Sequence, residues 1–441
     1  MTKRIALAYL ADFPGMSRGA WRHPEVDPAN ATDLEAWEKL AQTAERGFFD
    51  LFFKADNPGT RNDGMETYAQ SPFFFYPLEP LTLISALARS TEHIGLGGTV
   101  STSFFEPANI ARIFASLDHL TRGRAAWNIV TTANDYAARN FGLDRLPPRD
   151  QRYAQAKESY DIVTSYWDTW EDDAFIHDKT NARYFDPKRF HNTNFDGEFF
   201  KVQGGISIPR PPQGHPVIIQ AGASETGKNF AAETAEIVFG TGSSFEGAKD
   251  FYDDLKERVT HFGRTADSMK ILSGVEVVVG ETEEAAREKQ EEFEALVPID
   301  IQVRVVSEDL ETDLSDLPLD QPIPVERVPK ESNHHQQYFN EIVALIEKGM
   351  TLREVAKTYK SSSTTIIGSP KQVADHMQEW IEGGAGDGFM VRGLWNPGNL
   401  EDFVDMVIPE LQGRGMVRTA YEGRTLRENL GLARPANRHA K

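Results

Sequence analysis

Eight short apolar segments, beginning near residues 5, 49, 94, 125, 217, 237, 271 and 388, are each followed by a stretch with helical spacing. This alternation constrains the fold more than any other feature. Parallel strands need a long, usually helical crossover between them, and eight such units are what closes a (β/α)8 TIM barrel. The expectation is an α/β chain of that architecture, with a short extra segment near residue 364 leaving the count of the last strands ambiguous. An open doubly wound sheet is the rival, but it carries a glycine fingerprint on its first strand-to-helix turn, and residues 9–19 have none.

The helical stretches carry their own punctuation. Leu34, Trp37, Leu40, Ala41 and Ala44 share one helical face, with Asp33 placed as N-cap and Gly47 as the residue beyond the C-terminus. Further helices are expected over 81–90, 107–120, 150–167, 224–234, 245–262, 283–296, 370–382 and 400–411. One barrel domain is expected over residues 1–441, interrupted after strands 4 and 7 by insertions at about 168–215 and 298–362. Turn signals in the first predict a hairpin. Acidic and proline-rich runs with leucine anchors over 298–341 of the second predict an irregular, mobile cover. The loop 57–80, with its aromatic run at 71–77, is too long for a passive linker and is expected to wall or cover a pocket.

Composition removes several functions. With 47 Lys and Arg against 67 Asp and Glu the formal charge is −20, which repels nucleic acid and anionic membranes where no basic patch exists. No run approaches the roughly 20 apolar residues of a membrane span. The first apolar run, from Ile5 to Ala11, ends at Asp12 with no cleavage signal and reads as a strand, so a cytoplasmic location is expected. The absence of cysteine excludes disulfides, thiolate nucleophiles and cysteine metal sites. The histidines show no metal-binding spacing, His334 and His335 read as solvent-facing, and no metal site is expected. No nucleophile elbow is present, and Asp12 and Asp56 are the only strand-end carboxylates for glycosidase chemistry.

Residues 216–229 read as a strand, a turn of small residues and a helix N-terminus. Backbone N–H groups and the helix dipole suit such a turn to a phosphate, with Ser224 as either a ligand or an ordinary N-cap. Gly222 to Lys228 has the spacing of a nucleotide P-loop, but Asn229 stands where a magnesium-binding hydroxyl belongs. Strand ends in a barrel face the active site. Here they supply Asp12, Phe13, Asp56, residues 99–103, 128–132, 220–224 and 241–243, and 392–395. Neutral hydrogen-bonding groups and aromatics of this kind suit an organic cofactor that carries the chemistry itself. No catalytic acid or base is identified.

Several segments together resemble one family. They are Trp21-Arg22-His23-Pro24, residues 44–50, 116–132 and 220–227, and the closing segments 383–389 and 425–432. The chain is similar over nearly its whole length to the bacterial-luciferase-like, flavin-dependent monooxygenases of the nitrilotriacetate, dibenzothiophene-sulfone and long-chain-alkane group. The resemblance implies a two-component FMNH2-dependent monooxygenase. Reduced FMN would come from a separate NAD(P)H:flavin reductase and react with O2 to form a flavin C4a-peroxide. One oxygen atom would then pass to a small organic substrate, and the assembly would be a homodimer or tetramer. Carried over residue by residue, the flavin ring contact falls on Asp56, further cofactor contacts on Thr99 and Asn128, and phosphate contacts on Tyr153 and Ser224. Arg149 stands where the family usually has histidine, four residues before that tyrosine, and would bind phosphate through a fixed charge. A deazaflavin-dependent oxidoreductase, a non-catalytic flavin-binding paralogue on the same barrel, and a P-loop nucleotide hydrolase are the alternatives.

Overall fold

A computed structural model describes residues 4–60, 65–70, 72, 75–240, 244–330, 336–359 and 364–440. Its strands are β1 (Ala6–Leu10), β2 (Leu51–Lys54), β3 (Gly95–Ser101), β4 (Ala125–Val130), β5 (Thr193–Asp196), β6 (Lys201–Gly204), β7 (Val217–Gln220), β8 (Ile237–Gly240), β9 (Lys270–Val279), β10 (Thr364–Gly368) and β11 (Gly388–Arg392). The eight expected strands, β1–β4, β7–β9 and β11, pair in parallel and close into a barrel, with β8 joining β9 and β11 joining β1.

The long β9 resolves the ambiguity near residue 364. Residues 270–273 pair with β8, residues 272–276 with β11, and residues 275–279 with β10. The strand β10 therefore takes up the edge that β8 leaves free and adds a ninth strand without entering the ring.

Strands buried on both faces explain the near-continuous apolar runs. The inward face carries Ala6, Ala8, Leu10, Leu51, Phe53, Ala126, Ile219, Phe239 and Leu272 as one cluster, while Leu7, Tyr9 and Phe52 pack outward beneath the helices. Small and large residues alternate around the interior: the rings of Phe53 and Phe239 meet at 4.8 Å. Gly97 leaves room for these side chains, since a Cβ there would lie 3.1 Å from Leu51 and 3.2 Å from Ile219. Leu426 and Leu430, from the helix Leu426–Leu430, join the same cluster. They pack into the amino-terminal end of the barrel interior.

The expected helices form with small differences. Asp33 caps Leu34–Arg46 by accepting from the Glu35 amide, Pro107 opens Pro107–Leu120, and Ser369 with Gln372 forms a capping box before Pro370–Glu382. The left-handed residue after Arg46 is Phe48, with φ 58°, and not Gly47. Gly47 is needed for space, since a Cβ would meet Val404 at 2.6 Å. The helix expected over 400–411 is three pieces, Gly398–Asp402, a π-helical turn Phe403–Val407, and Ile408–Gly413. Pro409 has no amide hydrogen to continue the ladder, which accounts for the wide turn before it.

Residues 168–215 contain the expected hairpin, β5 paired antiparallel with β6. Residues 298–362 depart from the irregular cover expected. They hold the helices Ile299–Asp309, Gln336–Glu347 and Leu352–Thr358, packed on their own core of Val303, Val306, Ile342, Leu352 and Val355. Ile301, Val303 and Val305 are β-branched and alternate like a strand, and packing overrides that local preference. His334, His335, residues 241–243, and Ser71, Phe73 and Phe74 of the aromatic run lie outside the described residues.

Candidate active site

Two groups of residues meet at the carboxyl end of the barrel. The first lies on adjacent strands β2, β3 and β4. Thr99 and Asn128 are register partners, and the Asn128 amide Nδ2 donates to Thr99 Oγ1 at 2.9 Å. That hydroxyl donates in turn to the Lys54 carbonyl at 3.1 Å. Both side chains are buried, yet Asn128 Oδ1 accepts no hydrogen bond among the described residues. On the neighbouring β7, buried Gln220 Nε2 likewise lacks an acceptor. A buried polar atom left without a partner costs stability unless a ligand satisfies it.

Asp56, two residues past β2, is half-buried. Burial, and then the nearby negative charge of Glu79, push its carboxyl up to about 6. Asp12, at the end of β1, is buried against Lys54, with Nζ 2.8 Å from Oδ1. Burial nevertheless raises the Asp12 carboxyl to about 6, the lysine offsetting only part of the cost.

The second group surrounds the turn between β7 and the helix Glu225–Thr234. Ser224 is the N-cap, its Oγ accepting from the Gly227 amide at 3.2 Å. The Tyr153 hydroxyl rests against the same turn, so close that a Cβ on Gly227 would lie 2.8 Å from it. Tyr153 projects from the helix Arg149–Trp167, whose amino-terminal turn has no side-chain cap. Thr226 Oγ1 reaches Asp150 in that turn at 3.1 Å, tying the two helix starts together. Arg149, the first residue of the helix, is exposed and one turn from Tyr153. Two helix N-termini and two hydroxyls meet there, with Arg149 on the first turn of one of the helices, an arrangement suited to a phosphate.

Between the groups stand residues to which the sequence analysis gives no individual role. Thr132, just beyond β4, holds a left-handed backbone with φ 51°, a strained state for a β-branched residue costing about 1–3 kcal/mol. Arg152 holds it there, donating to the carbonyls of Thr131 and Thr132, and the Thr132 hydroxyl pairs with Ser101 Oγ at 2.7 Å. Lys54 was also missed, although a lysine ending the buried run Leu51-Phe52-Phe53 was itself a signal. The P-loop spacing does not make a nucleotide cradle. Lys228 turns away to Asp254 and Glu225, each at 2.6 Å.

The sequence profile of luciferase-like monooxygenases matches residues 17–387. The chain belongs to that family. It is 42% identical to nitrilotriacetate monooxygenase component A of Aminobacter aminovorans, over 100% of this chain and 99% of that protein. The crystal structure of DmoA from Hyphomicrobium sulfonivorans superposes with a TM-score of 0.87 at 33% identity, covering 97% of this chain and 92% of the other. A structure of riboflavin lyase (RcaE) with modified FMN and riboflavin gives a TM-score of 0.84 at 29% identity, covering 98% and 97%. This luciferase-like monooxygenase has no helix among its described residues long and apolar enough to cross a membrane. Nor do those residues include a cluster of three or more histidine and acidic side chains able to hold a metal.

Proposed function

We propose that this chain is the oxygenase of a two-component system. It takes reduced FMN from a separate NAD(P)H:flavin reductase and inserts one atom of O2 into a small organic substrate. The observation that carries this reading is the buried Asn128 Oδ1, without a partner among the described residues, at the end of a barrel strand whose mouth also holds a phosphate-type turn. Polar atoms buried without partners fit a heterocycle with its own donors and acceptors, and neutral side chains do not compete with oxygen chemistry for protons. The neighbouring structure with modified FMN supports the choice of cofactor, and the relative named component A supports a multi-component system.

In this reading Asp56, Thr99 and Asn128 hold the flavin ring, and Arg149, Tyr153 and Ser224 hold its phosphate. Bound reduced FMN supplies oxygen activation at its C4a carbon. The protein's part is to bind, orient and exclude water. Asn128 is kept in one rotamer by Thr99, and Thr99 by the Lys54 carbonyl. Ser101, Thr132 and Arg152 form a rigid link from the ring end to the phosphate end. Asp56, held up to about 6, is ionised at neutral pH but close to gaining a proton, so it can accept a hydrogen bond from a ring N–H at little desolvation cost beyond that already present. A homodimer or tetramer in the cytoplasm completes the proposal.

The test is an anaerobic titration with reduced FMN followed by admission of oxygen, with NAD(P)H, a flavin reductase and candidate substrates added in turn. Micromolar binding of reduced FMN and substrate-dependent oxygen incorporation are expected. Binding of ATP with magnesium in place of reduced FMN would overturn the reading.

A further inference from the structure

Lys54 is fully buried at the carboxyl end of β2, and nothing assigned so far uses its side chain. Among the described residues its ammonium meets Asp12 Oδ1 at 2.8 Å, the Tyr76 ring with its centroid at 4.1 Å, and the Trp37 ring at 5.3 Å. A desolvated cation facing an aromatic ring is held more strongly than an exposed one. Tyr76 belongs to the long segment after β2, and the charges that act on its hydroxyl are those of the barrel mouth, with Asp12, Arg392 and Asp56 among them. Asp12 is fixed from its other side, because Asn396 Nδ2 donates to its carbonyl while Asn396 Oδ1 accepts from buried Tyr9.

The same lysine acts at a second place through its backbone, its carbonyl accepting from Thr99 and so orienting Asn128. One residue thereby joins the Thr99–Asn128 pair on β3 and β4 to the Tyr76 ring. We infer that Lys54 is a positioning residue of the oxygenation site, its ammonium pinning Tyr76 against the mouth so that bound reduced flavin is shielded from water. The inference rests on the flavin reading proposed above. Exclusion of water is what separates oxygen transfer from waste: without it, reduced FMN passes two electrons and two protons to O2 and gives FMN and H2O2.

The test uses Lys54→Met, which keeps the stem and the carbonyl bonded to Thr99, beside Lys54→Arg, which keeps the charge. In the ligand-free proteins, hydrogen exchange of the 75–88 peptide is expected to quicken in K54M and stay near wild type in K54R. With reduced FMN bound anaerobically, the dissociation constant of K54M should stay within about threefold of wild type, because Thr99 and Asn128 are untouched. On admission of oxygen, H2O2 should be released about tenfold faster from K54M, a loss on the scale of one desolvated cation–π contact. Tyr76→Leu should copy K54M, and Tyr76→Phe should not. If K54M strands the Asp12 carboxylate and fails to fold, the double variant Asp12→Asn, Lys54→Met carries the same measurements. Unchanged exchange and unchanged H2O2 release would overturn the inference. Failure of the wild-type protein to bind reduced FMN would instead overturn the flavin reading, with the exchange result still testing the Lys54–Tyr76 contact.

Discussion

Asn128 gives its amide to the Thr99 hydroxyl at 2.9 Å across the β3–β4 register and keeps its own carbonyl buried and unpaired. An unpaired buried acceptor costs about 1–3 kcal/mol. Replacing Asn128 by Leu should therefore leave the melting temperature of the ligand-free protein unchanged or raise it. Affinity for reduced FMN should fall about tenfold, the value of one lost buried hydrogen bond. Calorimetry of the ligand-free protein and an anaerobic titration report the two effects separately.

Asp56 predicts a pH dependence of stability. Its carboxyl sits at about 6 in the folded protein against an ordinary value of 3.8. The folded state thus holds the proton more tightly than the unfolded chain. The contribution to stability is complete below about pH 4, falls as pH rises to about 6, and is flat above. Asp56→Asn should lose that decline, so its unfolding free energy should gain on wild type between pH 4 and 6 and hold the gain at pH 7. Denaturant unfolding at several pH values checks this, and a constant difference across the range would contradict it.

Ser224→Ala removes the oxygen that accepts from the Gly227 amide. The helix should lose about 1 kcal/mol as an uncapped N-terminus. Affinity for FMN should fall while affinity for riboflavin, which lacks the phosphate, changes little. Equal losses for the two flavins would show that the serine only caps.

Arg149 is exposed, so Arg149→Ala should change stability by no more than about 0.5 kcal/mol. FMN binding should weaken and riboflavin binding should not. Arg149→His should restore FMN binding at acid pH and lose it as the imidazole deprotonates near its ordinary pKa of about 6.5. Flavin titrations at two pH values check both variants.

Gly227→Ala places a methyl group 2.8 Å from the Tyr153 hydroxyl. Alanine is the better helix former by about 1 kcal/mol, which offsets part of the crowding against Tyr153 and against the Gly222 Cα at 3.1 Å, so the thermal midpoint should change little. The displaced tyrosine should nevertheless weaken FMN relative to riboflavin, and a variant with unchanged FMN affinity would remove Tyr153 from the phosphate contacts.

Much of this molecule was legible before folding. The eight barrel strands, the caps at Asp33 and Ser224 and the helix Pro107–Leu120 follow from periodicity and turn chemistry, because each depends on neighbours within one turn or one strand. The (β/α)8 closure follows from their number, and resemblance to the family proposes residues for both ends of the candidate site. Other features depend on residues far apart in the chain. The split helix after Gly398 and the helical core of residues 298–362 required packing partners. The ion pair of Asp12 with Lys54 joins residues 42 apart, and Tyr9 reaches Asn396 across 387. Asn128 was named from the sequence, but only the fold showed that one of its oxygens is buried with no partner. Local interactions determine elements, and burial, which no single segment possesses alone, decides which polar atoms are left waiting for a ligand.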